Sequence, residues 1–136
     1  MDKKISSKYT KGLSPSDKKK QIKSIKEQTI RPKLESSKSK KSKWTILFDK
    51  TYGDKIDKMK GKRSKRNIAK ITGIPFKAID EVYKKGEGAY FSSGSRPNQT
   101  PSSWGRGRIY GYIMGNEKVR KVDKAITEKY NVKFKH

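Results

Sequence analysis

The stretch SKRNIAKITGIPFKAIDEVYKKG, residues 64–86, decides the fold class. Ile68 and Ile71 mark one apolar side of a helix, and Gly73 is a natural left-handed stop. Pro75 fits the start of a second helix, with Ile79, Val82 and Tyr83 facing inward and Gly86 ending it. Ala69 and Gly73 are four apart, a small residue where two helices cross and a glycine in the turn. That spacing is also the spacing of DNA-binding bihelical units. Against a recognition helix, Asp80 and Glu81 would repel phosphate, although a carboxylate there can accept from a cytosine amine. Plain packing of a helical hairpin is the better reading.

Downstream, Thr100 and Pro101 form a cap and first-turn pair for a helix through Trp104, Ile109, Tyr112 and Ile113, stopping at Gly115. A last helix over 117–130 places Val119, Val122, Ile126 and Tyr130 on one stripe. Residues 64–136 are therefore expected to form a compact domain of about four helices.

Upstream the signal weakens. Residues 1–43 read as a basic, extended N-terminal arm with one helix over 14–27, where Ser14 caps, Pro15 opens and Asp17 sits at the capping-acid position. Only Ile22 and Ile25 mark an apolar side, so this helix needs a partner surface. Arg31-Pro32 breaks it. SSKSKKSK (36–43) is low-complexity and reads as a flexible linker. Residues 44–63 hold WTILF (44–48), whose aromatic and β-branched content suggests a short strand or an anchoring segment. The polar, turn-rich run DKTYGDKIDKMKGKRSK (49–65) reads as an exposed loop. The fold class is mainly α, with at most one short strand or hairpin.

Composition sets the partner class. Of 136 residues 29% are hydrophobic and 37% charged, so a core spanning the whole length is not expected. The formal net charge is +24, which calls for a polyanion to neutralise it. Residues 1–43 carry a net of +11, residues 44–72 +6 and residues 73–136 +7. The candidate polyanion-binding residues are Lys18, Lys19, Lys20, Lys38, Lys40, Lys41, Lys43, Lys62, Arg63, Lys65, Arg66, Arg96, Arg106 and Arg108. With no cysteine there is no disulfide or thiolate metal site, and His136 is the single histidine. No cofactor and no metal is expected. No apolar run reaches the roughly 18 residues a membrane span needs, and MDKKISSKYTKG has no apolar stretch of signal-peptide type. A protein that is soluble or held within an assembly is expected.

The run SSGSRPNQTP (92–101) is rich in hydrogen-bonding groups around Arg96. A helix beginning near Thr100 leaves N–H groups that favour an anion, and Arg96 with Arg106 and Arg108 would complete a phosphate site. The plainer reading is that the polar side chains tie down their own loop, with Trp104 as core anchor. A serine nucleophile at Ser93 or Ser95 lacks a histidine base; a lysine could substitute, but with so many lysines proximity in sequence says nothing. The acids show no metal-ligand pattern. A non-enzymatic protein without a small-molecule substrate is expected. Gly107, Gly111 and Gly115 recur every four residues and suggest close approach of another backbone, while a membrane GxxxG reading fails on the two arginines.

AYFSSGSRPNQTPSSWGRGRIYGYIMG (89–115) followed by VRKVDKAI (119–126) resembles an uncharacterised domain of large double-stranded DNA viruses of algae and protists, with a related pattern in tailed phages. Gly94, Arg96, Pro97, Thr100, Pro101, Trp104, Arg108 and Asp123 match in order, and YTKGLSPSDKKKQIKSIKE (9–27) extends the likeness over 9–130. Gly105 and Gly107 depart from it, standing where better helix formers are expected. The resemblance implies a viral origin and brings no catalytic residue. The expected role is a non-enzymatic virion structural protein, a minor capsid or inner-shell component whose basic arm binds acidic partners. The alternative is a genome-packaging protein that neutralises phosphate without reading sequence, and a helix-turn-helix regulator or an enzyme ranks below both. Expected partners are other capsid proteins or nucleic acid. The expected location is the capsid interior, reached from the host cytoplasm or nucleus.

Overall fold

A computed structural model describes residues 9–32, 34, 42–92, 94–95 and 99–136. The described residues are mainly helical, with no strand among them. The helices are α1 (Pro15–Glu27), α2 (Lys43–Phe48), α3 (Asp54–Asp57), α4 (Lys65–Thr72), α5 (Phe76–Ser92), α6 (Pro101–Met114), α7 (Glu117–Val122) and α8 (Lys124–Lys129). A π-helical segment, Asp49–Gly53, joins α2 to α3.

Helix starts follow local side-chain chemistry. Ser14 Oγ accepts from the Asp17 amide and Pro15 opens α1. Ser64 caps α4 through the Asn67 amide, and Gly73 closes it at φ +76°. At α6 the Thr100 hydroxyl accepts from Ser103 N–H while Ser103 Oγ accepts from Thr100 N–H, a reciprocal box behind Pro101. Each cap satisfies amides that the helix leaves without partners and is worth about 1 kcal/mol.

The expected strand at 44–48 and loop at 49–65 are replaced by helix as far as Asp57. Trp44, Phe48, Tyr52 and Ile56 recur every four residues, and the last three are buried. A repeat of four outruns the 3.6-residue turn, and the wider π turn takes up the drift. Phe48 stacks on Tyr110 of α6 at 4.5 Å, which fixes the segment on the core.

Helix α5 does not stop at Gly86 but continues to Ser92. The glycine serves the crossing with α6: a Cβ on Gly86 would lie 2.6 Å from Gly105 Cα. A Cβ on Gly105 would in turn meet the Tyr83 ring at 2.9 Å and its carbonyl at 3.0 Å. The close backbone approach expected along Gly107, Gly111 and Gly115 therefore belongs to Gly86 and Gly105. Around Gly107 there is open space, Gly111 faces the Asn116 side chain, and Gly115 closes α6 at φ +111°.

The expected single helix over 117–130 is broken at Asp123 into α7 and α8. The break ends the stripe: Ile126 is buried, whereas Val122 is 63% exposed. The main core gathers Phe48, Ile56, Ile68, Ala78, Ile79, Val82, Ile109, Tyr112, Ile113 and Ile126 from α2 to α8.

Helix α1 lies against the far end of α5 and the segment that follows it. Its inward residues Asp17, Gln21, Ser24 and Ile25 recur at spacings of four, three and one, one face of a helix. Gln21 Nε2 donates to the Ser95 carbonyl at 2.8 Å, and Gly94 sits against Ile25 and Tyr9.

Candidate polyanion-binding surface

Basic residues divide into those that hold the fold and those that face water. Arg31 is 5% exposed. Its guanidinium donates to Ser24 Oγ, the Thr29 carbonyl and the Tyr90 carbonyl, and stacks 4.3 Å from the Tyr90 ring centroid. Burial pulls its pKa below the ordinary arginine value. The Tyr90 hydroxyl accepts from Arg31 N–H at 2.6 Å and donates to the Gln99 carbonyl at 3.0 Å. This network joins the end of α5 to the chain on both sides of it.

Arg108 makes a two-point bond to Asp123, Nε to Oδ2 at 3.0 Å and Nη2 to Oδ1 at 2.7 Å. Asp123 is fully buried, and Lys85 approaches it at 3.5 Å. A carboxylate out of water needs such compensation, so this pair locks the α7–α8 break against α6. Arg120 donates to the Tyr112 and Ile113 carbonyls, satisfying the open end of α6, and packs 3.7 Å from the Phe134 ring centroid. Arg63 bonds to Asp49 and Asp57, which raises its pKa, chiefly through Asp57. Lys65 bonds to Asp80 at 2.5 Å. That bond, with Lys84 behind it, holds the Asp80 carboxyl below the usual range. Hydrogen bonding from Tyr130, then the Lys129 charge, does the same for Glu81.

Three expected polyanion residues, Arg63, Lys65 and Arg108, thus sit in internal ion pairs. Lys43 lies over the Trp44 ring and Arg66 over the Phe76 ring. Lys18, Lys19, Lys20, Lys62 and Arg106 are exposed. Lys38, Lys40, Lys41, Arg96 and Pro97 lie outside the described residues, as does Ser93. Lys23 and Lys26 are exposed on α1 as well, so its outward face carries five lysines beside Ser16 and Glu27. They are the complement of its inward face, which is too polar for apolar periodicity to outline. A shallow open groove of about 250 Å³ lies between one side of α1, at Lys20, Lys23, Ser24 and Glu27, and the segment that follows it, at Thr29, Ile30 and Pro32.

The loop after α5 is tied down from within where it is described. Ser95 is fully buried and its carbonyl is taken by Gln21. Ser103 Oγ donates to Gln99 Oε1. Gly94, at φ +100°, packs on Tyr9 and Ile25. Trp104 is half-buried outside the main core, edge-on to Tyr9 at 6.1 Å. It anchors the segment before α1 rather than the core itself.

One comparison with known proteins bears on this arrangement: a family of unknown function, DUF5824, matches residues 6–132. The chain belongs to that family. The match takes in α1, both glycines of the α5–α6 crossing, and the Arg108–Asp123 pair. No curated protein and no solved structure matches the chain. No helix among the described residues is long and apolar enough to cross a membrane, and no cluster of metal-ligating side chains occurs among them.

Proposed function

We propose that this protein is a non-enzymatic structural component of the particle of a large DNA virus, and that it neutralises the packaged genome through exposed lysines without reading its sequence. The carrying observation is the outward face of α1. Lys18, Lys19, Lys20, Lys23 and Lys26 are all exposed there, while the opposite face is packed on the domain. Lysines present point charges that suit phosphate at any sequence, whereas the arginines, better suited to reading base edges, are mostly spent on internal bonds. In the α4–α5 hairpin, Asp80 and Glu81 sit on the second helix paired with lysines, which speaks against base reading by that helix.

A test is binding to a labelled DNA duplex over a salt series. The logarithm of affinity is expected to fall linearly with log salt, with a slope of about −0.9 for each phosphate contacted. Scrambling the duplex sequence should leave affinity unchanged. No retention at about 50 mM salt would remove the reading.

A second reading, a shell component bound to acidic capsid protein, is favoured by Ile46 and Leu47, apolar side chains exposed on α2. The two part on particle fractionation. A shell protein stays with nuclease-emptied shells, and a genome protein leaves with the DNA.

A further inference from the structure

We propose that one copy of this protein bridges two nucleic-acid duplexes, one at each end of α5. The inference rests on the phosphate-binding reading above and adds a second, separate contact. Helix α5 has 17 residues, so at about 1.5 Å per residue it holds its two ends about 25 Å apart. At the far end, the Arg31–Tyr90 network and the Gln21–Ser95 bond fasten α1 with its lysine face outward. At the near end, a second basic group surrounds the Gly73 turn. Lys70 is exposed in the last turn of α4, and Lys77 is exposed in the first turn of α5. Arg66 lies over the Phe76 ring, and Lys135 reaches the turn from the C-terminal segment. A Cβ on Gly73 would be 3.8 Å from Lys135 Cε and 3.9 Å from its Nζ.

Along the waist between these groups the cations are paired with carboxylates. Asp80 bonds to Lys65 and Lys84, Glu81 pairs with Lys129, and Lys85 approaches Asp123. A duplex lying along α5 would meet the partly exposed carboxylates of Asp80 and Glu81, whereas a duplex at either end meets mainly lysine and arginine. With a screening length of about 10 Å at 0.1 M salt, groups about 25 Å apart act as independent sites. Two independent sites on a rigid spacer make a cross-link rather than a coat.

The experiment uses the full chain, one DNA duplex on a solid support and a second, labelled duplex in solution. Wild type should capture the second duplex. Two variants, K18Q/K19Q/K20Q/K23Q/K26Q and R66Q/K70Q/K77Q/K135Q, change exposed residues and should retain the wild-type circular dichroism. Each should still bind one duplex through the group that remains, with a salt slope of about −0.9 for each phosphate that group contacts. Each should lose capture of the second duplex by about tenfold or more. Capture that survives loss of either group overturns the bridge, as does wild type that binds one duplex and captures no second. Capture restored by mixing the two variants would assign bridging to a dimer and also overturn it. Failure to bind the first duplex at all overturns instead the phosphate-binding reading beneath it.

Discussion

The core between α2 and α8 and the seam beneath α1 are both buried, but different forces close them. The core is aliphatic and aromatic, and its tightest point is the contact of two glycines. The seam has Tyr9, Leu13, Ile25, Leu34 and Tyr90, yet Asp17, Gln21, Ser24, Arg31 and Ser95 are buried with them. Burial of apolar surface is non-directional, whereas the Arg31–Tyr90–Gln99 chain requires each donor to meet its acceptor. The core can therefore lose a methyl group and repack. The seam loses its register when one hydroxyl goes.

The largest expected effect lies where the core breaks that pattern with a charge. Asp123→Ala leaves Arg108 without its buried partner and should cost about 3–5 kcal/mol. Urea unfolding would show it as a lower midpoint with an unchanged slope. Next comes Gly86→Ala, whose Cβ needs space occupied by Gly105 Cα. Forcing the helices apart should cost about 2–3 kcal/mol, read as a fall in Tm of roughly 10 °C. Little effect on stability would show that the crossing is not as rigid as this spacing implies. Tyr90→Phe keeps the ring and removes the hydroxyl, so about 1–2 kcal/mol should go, mainly from the seam. Hydrogen exchange should speed up in α1 while the amides of α4 and α6 stay protected; uniform loss of protection would mean the two regions unfold as one.

Acid should act on the α5 ion pairs rather than on the Arg31 network. Asp80 and Glu81 have folded pKa values depressed by Lys65 and by Tyr130 with Lys129, so their stabilisation is present above the unfolded values near 4. It is lost as pH falls through the lower, folded values. The Arg31 contacts go to carbonyls and a serine hydroxyl, which do not titrate there. A thermal melt repeated from about pH 6 to 2 should be flat at first and then fall below about pH 4. Lys65→Gln should make that fall shallower, and an unaltered acid limb would detach Asp80 from it.

What the sequence discloses follows the range of the forces involved. The caps at Ser14 and Thr100, and the stops at Gly73 and Gly115, are legible because each depends on atoms within a turn or two. Gly86 misleads because intrinsic propensity marks it as a stop, while its contact with Gly105 on another helix favours its absent side chain. The helical reading of 44–57 was available in the four-residue spacing of Trp44, Phe48, Tyr52 and Ile56, but the β-branched run at 45–46 masked it. The inward face of α1 is largely polar, so apolar periodicity alone could not outline it or its lysine complement. Arg63, Lys65 and Arg108 looked free because Asp49, Asp80 and Asp123 are 14 or 15 residues away in sequence. Helix-face patterns at three or four residues do not extend so far.

Because most of the described arginines are fixed in the fold and most of the described lysines face water, the two sets are expected to drift differently over generations. A lysine on α1 can move by a position, or be exchanged for another along the same face, and the total positive charge is kept. Arg31 and Arg108 have no such freedom, since a lysine at either place supplies one point charge where a planar fork is bonded at several points. Descent should thus scatter the lysines while leaving these two arginines in place, and an aligned set of family members would show it.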